Sequence, residues 1–180
     1  INAEKQAKRD LLKKTLSFVN NQIEAIGSLA YHKSFSKNRL RGLEGSVSKS
    51  YFSLLGQILP EEYRFKSRSR NPACDMFNAA LNYMYGILYS HVEGAIIKAG
   101  MDPYMGIMHR DEHNKPVLAY DLIEPYRVWA DTVALRLCMR RLLNEEMFTI
   151  EQDRYWLEGP GKKVVIEAFN DYMDTIIQRR

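Results

Sequence analysis

A chain of 180 residues can enclose a sizeable core, and 46% hydrophobic against 27% charged residues is ordinary for a folded protein, which excludes wholesale disorder. The formal charge is +4 and the pI about 9.0, a mild basic excess that by itself says little about partners. No run reaches the ~18 apolar residues of a membrane span, and no signal-peptide pattern opens the chain, so the expected location is the cytoplasm. The abrupt start at Ile1, without an initiator Met, is expected of a fragment.

The periodicity is mostly helical. A first helix is predicted over Ala3 to Ile26. Its apolar stripe is Leu11, Leu12, Thr15, Phe18, Val19, Gln22, Ile23 and Ile26, and Gly27 ends it. A second runs from Arg39 to Ile58, where Pro60 stops it. A basic segment, residues 61–71, follows. Asn71-Pro72 is read as opening a long third helix that reaches Ala99, with Gly100 as its C-terminal cap. Pro103, Gly106 and Pro116 make residues 101–120 irregular. A fourth helix is predicted over Asp121 to Leu143, some strand character over residues 147–158, a break at Gly159-Pro160-Gly161, and a last helix from Lys162 to Gln178. The expectation is a single, mainly α domain of five or six helices spanning 1–180.

Cys74 and Cys138 have no partner at metal-ligand spacing, so no zinc site is signalled, and buried free thiols are expected. The cations cluster. Lys5, Lys8, Arg9, Lys13 and Lys14 lie near the N-terminus, Arg64, Lys66, Arg68 and Arg70 alternate through one segment, and Arg136, Arg140 and Arg141 close the fourth helix. Each cluster fits a solvated face or a phosphate-binding one.

Several polar residues fall on arcs that a plain core would fill with apolar ones. On the second helix, Leu43, Val47, Tyr51, Leu54, Leu55 and Ile58 share an arc of about 120°, and Glu44 lies inside it. A carboxylate on a buried face must be paired, protonated or bound to a cation. Flanking Gly42 and Gly45 would allow close approach of another group, whereas a helix starting at Gly42 would leave Glu44 merely favouring the dipole. On the third helix, Asp75, Asn78, Asn82, Tyr85, Tyr89 and Glu93 share an arc opposite Phe77, Ala80, Leu81, Met84, Leu88 and Val92. Asn and Tyr in register suit a half-buried face that hydrogen-bonds or frames a site better than a solvated one. At the fourth helix, Asp121 and Glu124 have capping-box spacing. Asp131 falls on the same side as Glu124, and Arg127 between them is spaced to pair with either. His109 follows Gly106-Ile107-Met108. With His113 it makes a His-x-x-x-His pair that the turn-like Asp111, Glu112 and Asn114 disqualify as a zinc motif.

The order of these pieces resembles one family. Gly42-Leu43-Glu44-Gly45 through Tyr51-Phe52 is similar to the segment carrying a metal-binding Glu in the CRISPR-associated spacer integrases. Arg70-Asn71-Pro72 followed by Asp75, Asn78, Leu81-Asn82-Tyr83 and Tyr85 resembles that family's long helix. Ala99-Gly100-Met101-Asp102-Pro103 leading to Gly106-Ile107-Met108-His109 is similar to its His-bearing segment. Lys115-Pro116, then Leu118 through Arg127 and on to Asp131, resembles its second acidic segment. The resemblance covers residues 38 to 145 in order.

What it implies is a metal-dependent DNA endonuclease and integrase that inserts spacer DNA into CRISPR arrays. Glu44, His109 and Glu124 would be the ligands of Mg²⁺ or Mn²⁺, and Asp121 an adjacent acid. Glu124 stands where the family often has Asp. Arg64, Lys66, Arg68, Arg70, Asn82, Tyr85, Lys115 and Arg127 would contact double-stranded and branched DNA. The implied partners are that DNA, a small second adaptation protein and, in the full-length protein, a second copy. The family begins with a β-rich N-terminal domain that this chain does not supply, so a catalytically silent DNA-binding scaffold is the alternative.

Overall fold

The computed structural model describes residues 2–31, 37–106 and 115–178. Two compact units divide the chain at residue 68.

The first unit holds α1 (Asn2–Tyr31) and α2 (Lys37–Ile58), which pack on one another. Leu11, Thr15, Phe18, Val19 and Ile26 of the expected stripe are half-buried, but Leu12 and Ile23 are exposed. Two helices offer each other one narrow seam, too little to cover the whole stripe. Gly27 does not end α1, since a single glycine costs a helix only about 1 kcal/mol. After α2 the chain makes a short 3₁₀ turn, Glu61–Tyr63, in which Tyr63 is buried, as are Leu54, Leu55 and Leu59 before it. At Gly56 a methyl group would run into the backbone carbonyl oxygen of Phe65, so the basic segment can return this close only over a glycine.

The second unit is built on α3 (Met76–Lys98). Against it pack α4 (Val117–Ile123), α5 (Arg127–Met139), the hairpin β1 (Phe148–Glu151) and β2 (Arg154–Leu157), and α6 (Gly159–Ile177). Phe77, Ala80, Leu81, Met84 and Leu88 of α3, Ala130, Val133, Ala134 and Leu137 of α5, and Val165 and Phe169 of α6 are buried. The architecture is mainly α, as expected, with one two-stranded antiparallel sheet.

The boundaries differ from expectation where a local group outcompetes periodicity. α3 starts at Met76, not Asn71-Pro72, because Asp75 is its cap: the carboxylate accepts from Asn78 N–H at 2.7 Å. The preceding strand-like segment is held elsewhere, Tyr155 N–H donating to Ala73 C=O at 2.9 Å. The fourth predicted helix is two helices, α4 and α5, joined by the 3₁₀ turn Glu124–Tyr126. Pro125 lacks an N–H and its ring opposes the preceding turn's carbonyl, so the α-helix cannot run through it. Asp121 therefore lies within α4 instead of at a helix start, which corrects the capping-box reading. Gly159-Pro160-Gly161 is the first turn of α6 rather than a break, Pro being suited to that position. Cys138 is buried as expected, but Cys74 is exposed.

Gly100 caps α3 as predicted. Its φ is +72°, Gly100 N–H donates to Ile97 C=O at 3.0 Å, and Met101 N–H donates to Ile96 C=O at 3.1 Å. A Cβ there meets nothing, so Gly100→Ala should cost about 1–2 kcal/mol by backbone strain alone, read as a lowered urea midpoint with unchanged slope.

Candidate metal and nucleic-acid site

The polar arc of α3 is half-buried, as its Asn and Tyr content implies. Asn78 is fully buried. Its amide N–H donates to Asp75 at 2.6 Å and its carbonyl oxygen accepts from Ser69 N–H at 3.2 Å. Asn82 donates to the backbone carbonyls of Ser69 and Arg70. Both amides thus position the segment that carries Arg70. Farther along, Tyr89 packs on Tyr120 with ring centroids 5.2 Å apart. Partial burial, and then the Glu93 carboxylate, push its phenol well above the ordinary value, so it stays a hydrogen-bond donor.

Tyr85 joins this arc to α5 and the Pro125 turn. Its hydroxyl donates to Asp131 Oδ1 at 2.6 Å, and Asp131 is only 9% exposed. The Arg127 guanidinium lies 5.5 Å from the Tyr85 ring centre. Arg127 Nη1 is 2.8 Å from each oxygen of Glu124, while Arg127 Nε is buried with no hydrogen-bond partner among the described residues. Of the two acids that Arg127 is spaced to reach, it pairs with Glu124. The structure therefore brings Glu124, Arg127, Tyr85 and Asp131 together, with Asp121 half-buried one turn earlier.

Glu44 is exposed on α2, and open space surrounds the positions where Gly42 and Gly45 would carry a Cβ. This corrects both the buried-arc reading of Glu44 and the close-approach reading of the glycines. α2 buries its C-terminal half, around Leu54 and Leu55, and leaves its N-terminal half largely uncovered within its unit. His109 and His113 lie outside the described residues. Glu44 belongs to the first unit and Glu124 to the second. Among the described residues alone, no three His, Cys, Asp or Glu side chains form a group able to hold a metal.

The basic segment is partly anchored. Phe65 meets Phe52 edge-on at 6.4 Å and the Arg68 guanidinium lies 5.7 Å from the Phe52 ring centre. Arg64, Lys66 and Arg70 are exposed, as is Lys115.

Comparison with known proteins defines the class first. The chain is 39% identical over 140 residues to the CRISPR-associated endonuclease Cas1 4 of Methanospirillum hungatei, covering 77% of this chain and 40% of that one. Among solved structures it superposes on a chain of a partial Cas6-RT-Cas1–Cas2 complex with a TM-score of 0.82 at 28% identity. It superposes on a casposase bound to integration product with a TM-score of 0.75 at 26% identity. Each covers 92% of this chain and 50% of the other. The family model described as CRISPR associated protein Cas1 matches residues 2–171. The chain belongs to the Cas1 family and spans half or less of the length of these relatives.

Proposed function

We propose that this chain is the helical catalytic part of a DNA endonuclease and integrase of CRISPR adaptation, which cuts and joins strands with the help of Mg²⁺ or Mn²⁺. The observation that carries the reading is that Glu44, His109 and Glu124 stand, in order, within the segments that resemble the family's motifs, in a chain the family model matches over residues 2–171. Two carboxylates and one imidazole form a mixed oxygen and nitrogen donor set that fits either ion. Glu44 and Glu124 are both solvent-accessible, as ligands of a phosphate-binding ion must be.

On this reading Glu44, His109 and Glu124 hold the ion, which when bound lowers the charge on the scissile phosphate and stabilises the entering and leaving oxygens. Asp121 orients His109 or a water beside it. Arg127 fixes the Glu124 carboxylate. The attacking oxygen is the 3′-hydroxyl of an incoming fragment in integration and water in hydrolysis; a P–O bond forms as another breaks, and no protein nucleophile is needed. Arg64, Lys66, Arg68, Arg70 and Lys115 neutralise backbone phosphates, so affinity falls with salt. Asn82 and Tyr85 act through Arg70 and Arg127, which they position.

The partners we infer are double-stranded and branched DNA, a small second adaptation protein, and a second copy in the longer protein. Their support is the Cas1–Cas2 complex and the integration product named for the solved relatives. None of the described helices is long and apolar enough to cross a membrane, which is consistent with work in the cytoplasm.

Cleavage and strand transfer on branched and duplex DNA test the reading, with and without Mg²⁺ or Mn²⁺, in the chain and in His109→Ala. Cation-dependent product that disappears in the variant is expected. DNA bound but never cut by the unaltered chain would instead make it a recognition scaffold.

A further inference from the structure

α1 carries more apolar surface than α2 covers. At about 100° per residue its apolar positions fall into two seams side by side. Leu11, Thr15 and Phe18 belong to the first, are half-buried, and share a groove with Leu54 and the serines of α2. Leu12, Leu16, Val19 and Ile23 make the second, within an arc of about 60°. Leu12, Leu16 and Ile23 are 44%, 53% and 59% exposed. Their alternating spacing, with Val19, is that of a seam between two packed helices. The stripe runs for about 16 Å along α1. Contiguous apolar side chains left in water mark a surface that another element covers.

The stripe is complementary to itself. Turned end for end on a second α1, Leu12 of one copy falls opposite Ile23 of the other, and Leu16 opposite Val19. A two-fold axis between the copies repeats both pairs. The charges fit the same arrangement. The cations of α1, Lys5, Lys8, Arg9, Lys13 and Lys14, all precede Leu16, and the acid beyond Leu16 is Glu24. Two copies side by side in parallel would set these cations against one another. Antiparallel, the cationic half of each copy lies along the half of the other that carries Glu24 and the negative end of the helix dipole. We propose that α1 is a docking surface for a second copy of this chain, the two helices packing antiparallel through Leu12, Leu16, Val19 and Ile23. The proposal rests on α1 itself and not on the nuclease and integrase reading, so either stands or falls without the other.

Sedimentation equilibrium of the chain, without DNA, over a roughly hundredfold range of concentration should show the mass rising from the 21.0 kDa of one chain towards twice that value. Leu16→Glu should raise the dimer dissociation constant by about 100-fold or more, because the two-fold axis counts each leucine lost from the seam twice. Leu16 is exposed in the single chain, so the variant's circular dichroism and melting temperature at low concentration should be unchanged. Ile23→Gln, at the far end of the stripe and with a side chain that suits a helix better, should weaken association likewise. The direction of packing is read by mixing Leu16→Cys with Val19→Cys, each in a Cys74→Ser chain so that the native exposed thiol is removed. On oxidation the mixed disulfide should exceed its random share, whereas parallel packing would favour the two homodisulfides. A mass of one chain throughout, association unchanged in folded Leu16→Glu and Ile23→Gln, or homodisulfides in excess overturns the proposal. So does a monomer whose melting temperature falls in Leu16→Glu, since the stripe would then be covered from within the chain.

Discussion

Glu44→Ala should reduce cation-dependent DNA cleavage by about two orders of magnitude or more and leave the folded state untouched. A ligand carboxylate stabilises the transition state through the ion by several kcal/mol, and each 1.36 kcal/mol is tenfold in rate, hence the magnitude. The folding half of the prediction comes from the structure. Glu44 is exposed, its glycine neighbours have open space, and Ala is the better helix former, so the thermal transition should stay or rise slightly. Glu124→Ala is the instructive contrast. It should lose activity comparably, but it also strips Arg127 of a half-exposed ion pair, a loss of roughly 0.2–1 kcal/mol. Cleavage rates and melting curves measured side by side check both. Equal destabilisation by the two variants would contradict the exposed placement of Glu44, and full activity in Glu44→Ala would remove it from the ligand set.

Tyr85→Phe should destabilise the second unit by about 1–3 kcal/mol, although the ring, and hence the packing, is retained. The hydroxyl is a donor to Asp131, and a buried carboxylate short of a donor bears a desolvation cost of that order. For a unit of this size the melting temperature should fall several degrees. Adding Asp131→Asn should recover part of the loss, because the amide leaves a neutral group in place of the underbonded charge. A melting curve for the double variant no better than that of Tyr85→Phe alone would show that the carboxylate is not the source of the cost. Because Arg127 rests on the Tyr85 ring, which Phe preserves, Glu124 should stay in place and cleavage should fall far less than in Glu44→Ala.

Much of this was readable in the chain itself. Helical periodicity located the elements, because burying one face of a helix imposes a spacing of 3.6 residues on the sequence. Gly100 announced the end of α3, since few other residues accept its φ. The Asn and Tyr of α3 announced a half-buried polar face. The order of the acidic and His-bearing motifs pointed to the family that residues 2–171 then matched.

Other features depended on partners distant in sequence. Glu44 shares an arc with apolar residues, yet one facing helix covers only part of such an arc: Leu43 and Val47 are half-buried while Glu44 between them is exposed. Arg127 is spaced to reach two acids; the turn at Pro125 gives it Glu124, while Tyr85, 46 residues before Asp131, takes the other. A cleft beside Trp156 combines residues 70–73, α3, the hairpin and α6, segments that no local pattern links. Periodicity and capping are local physics and are written along the chain, whereas pairing, exposure and cavities are settled by which remote surfaces meet when the core closes.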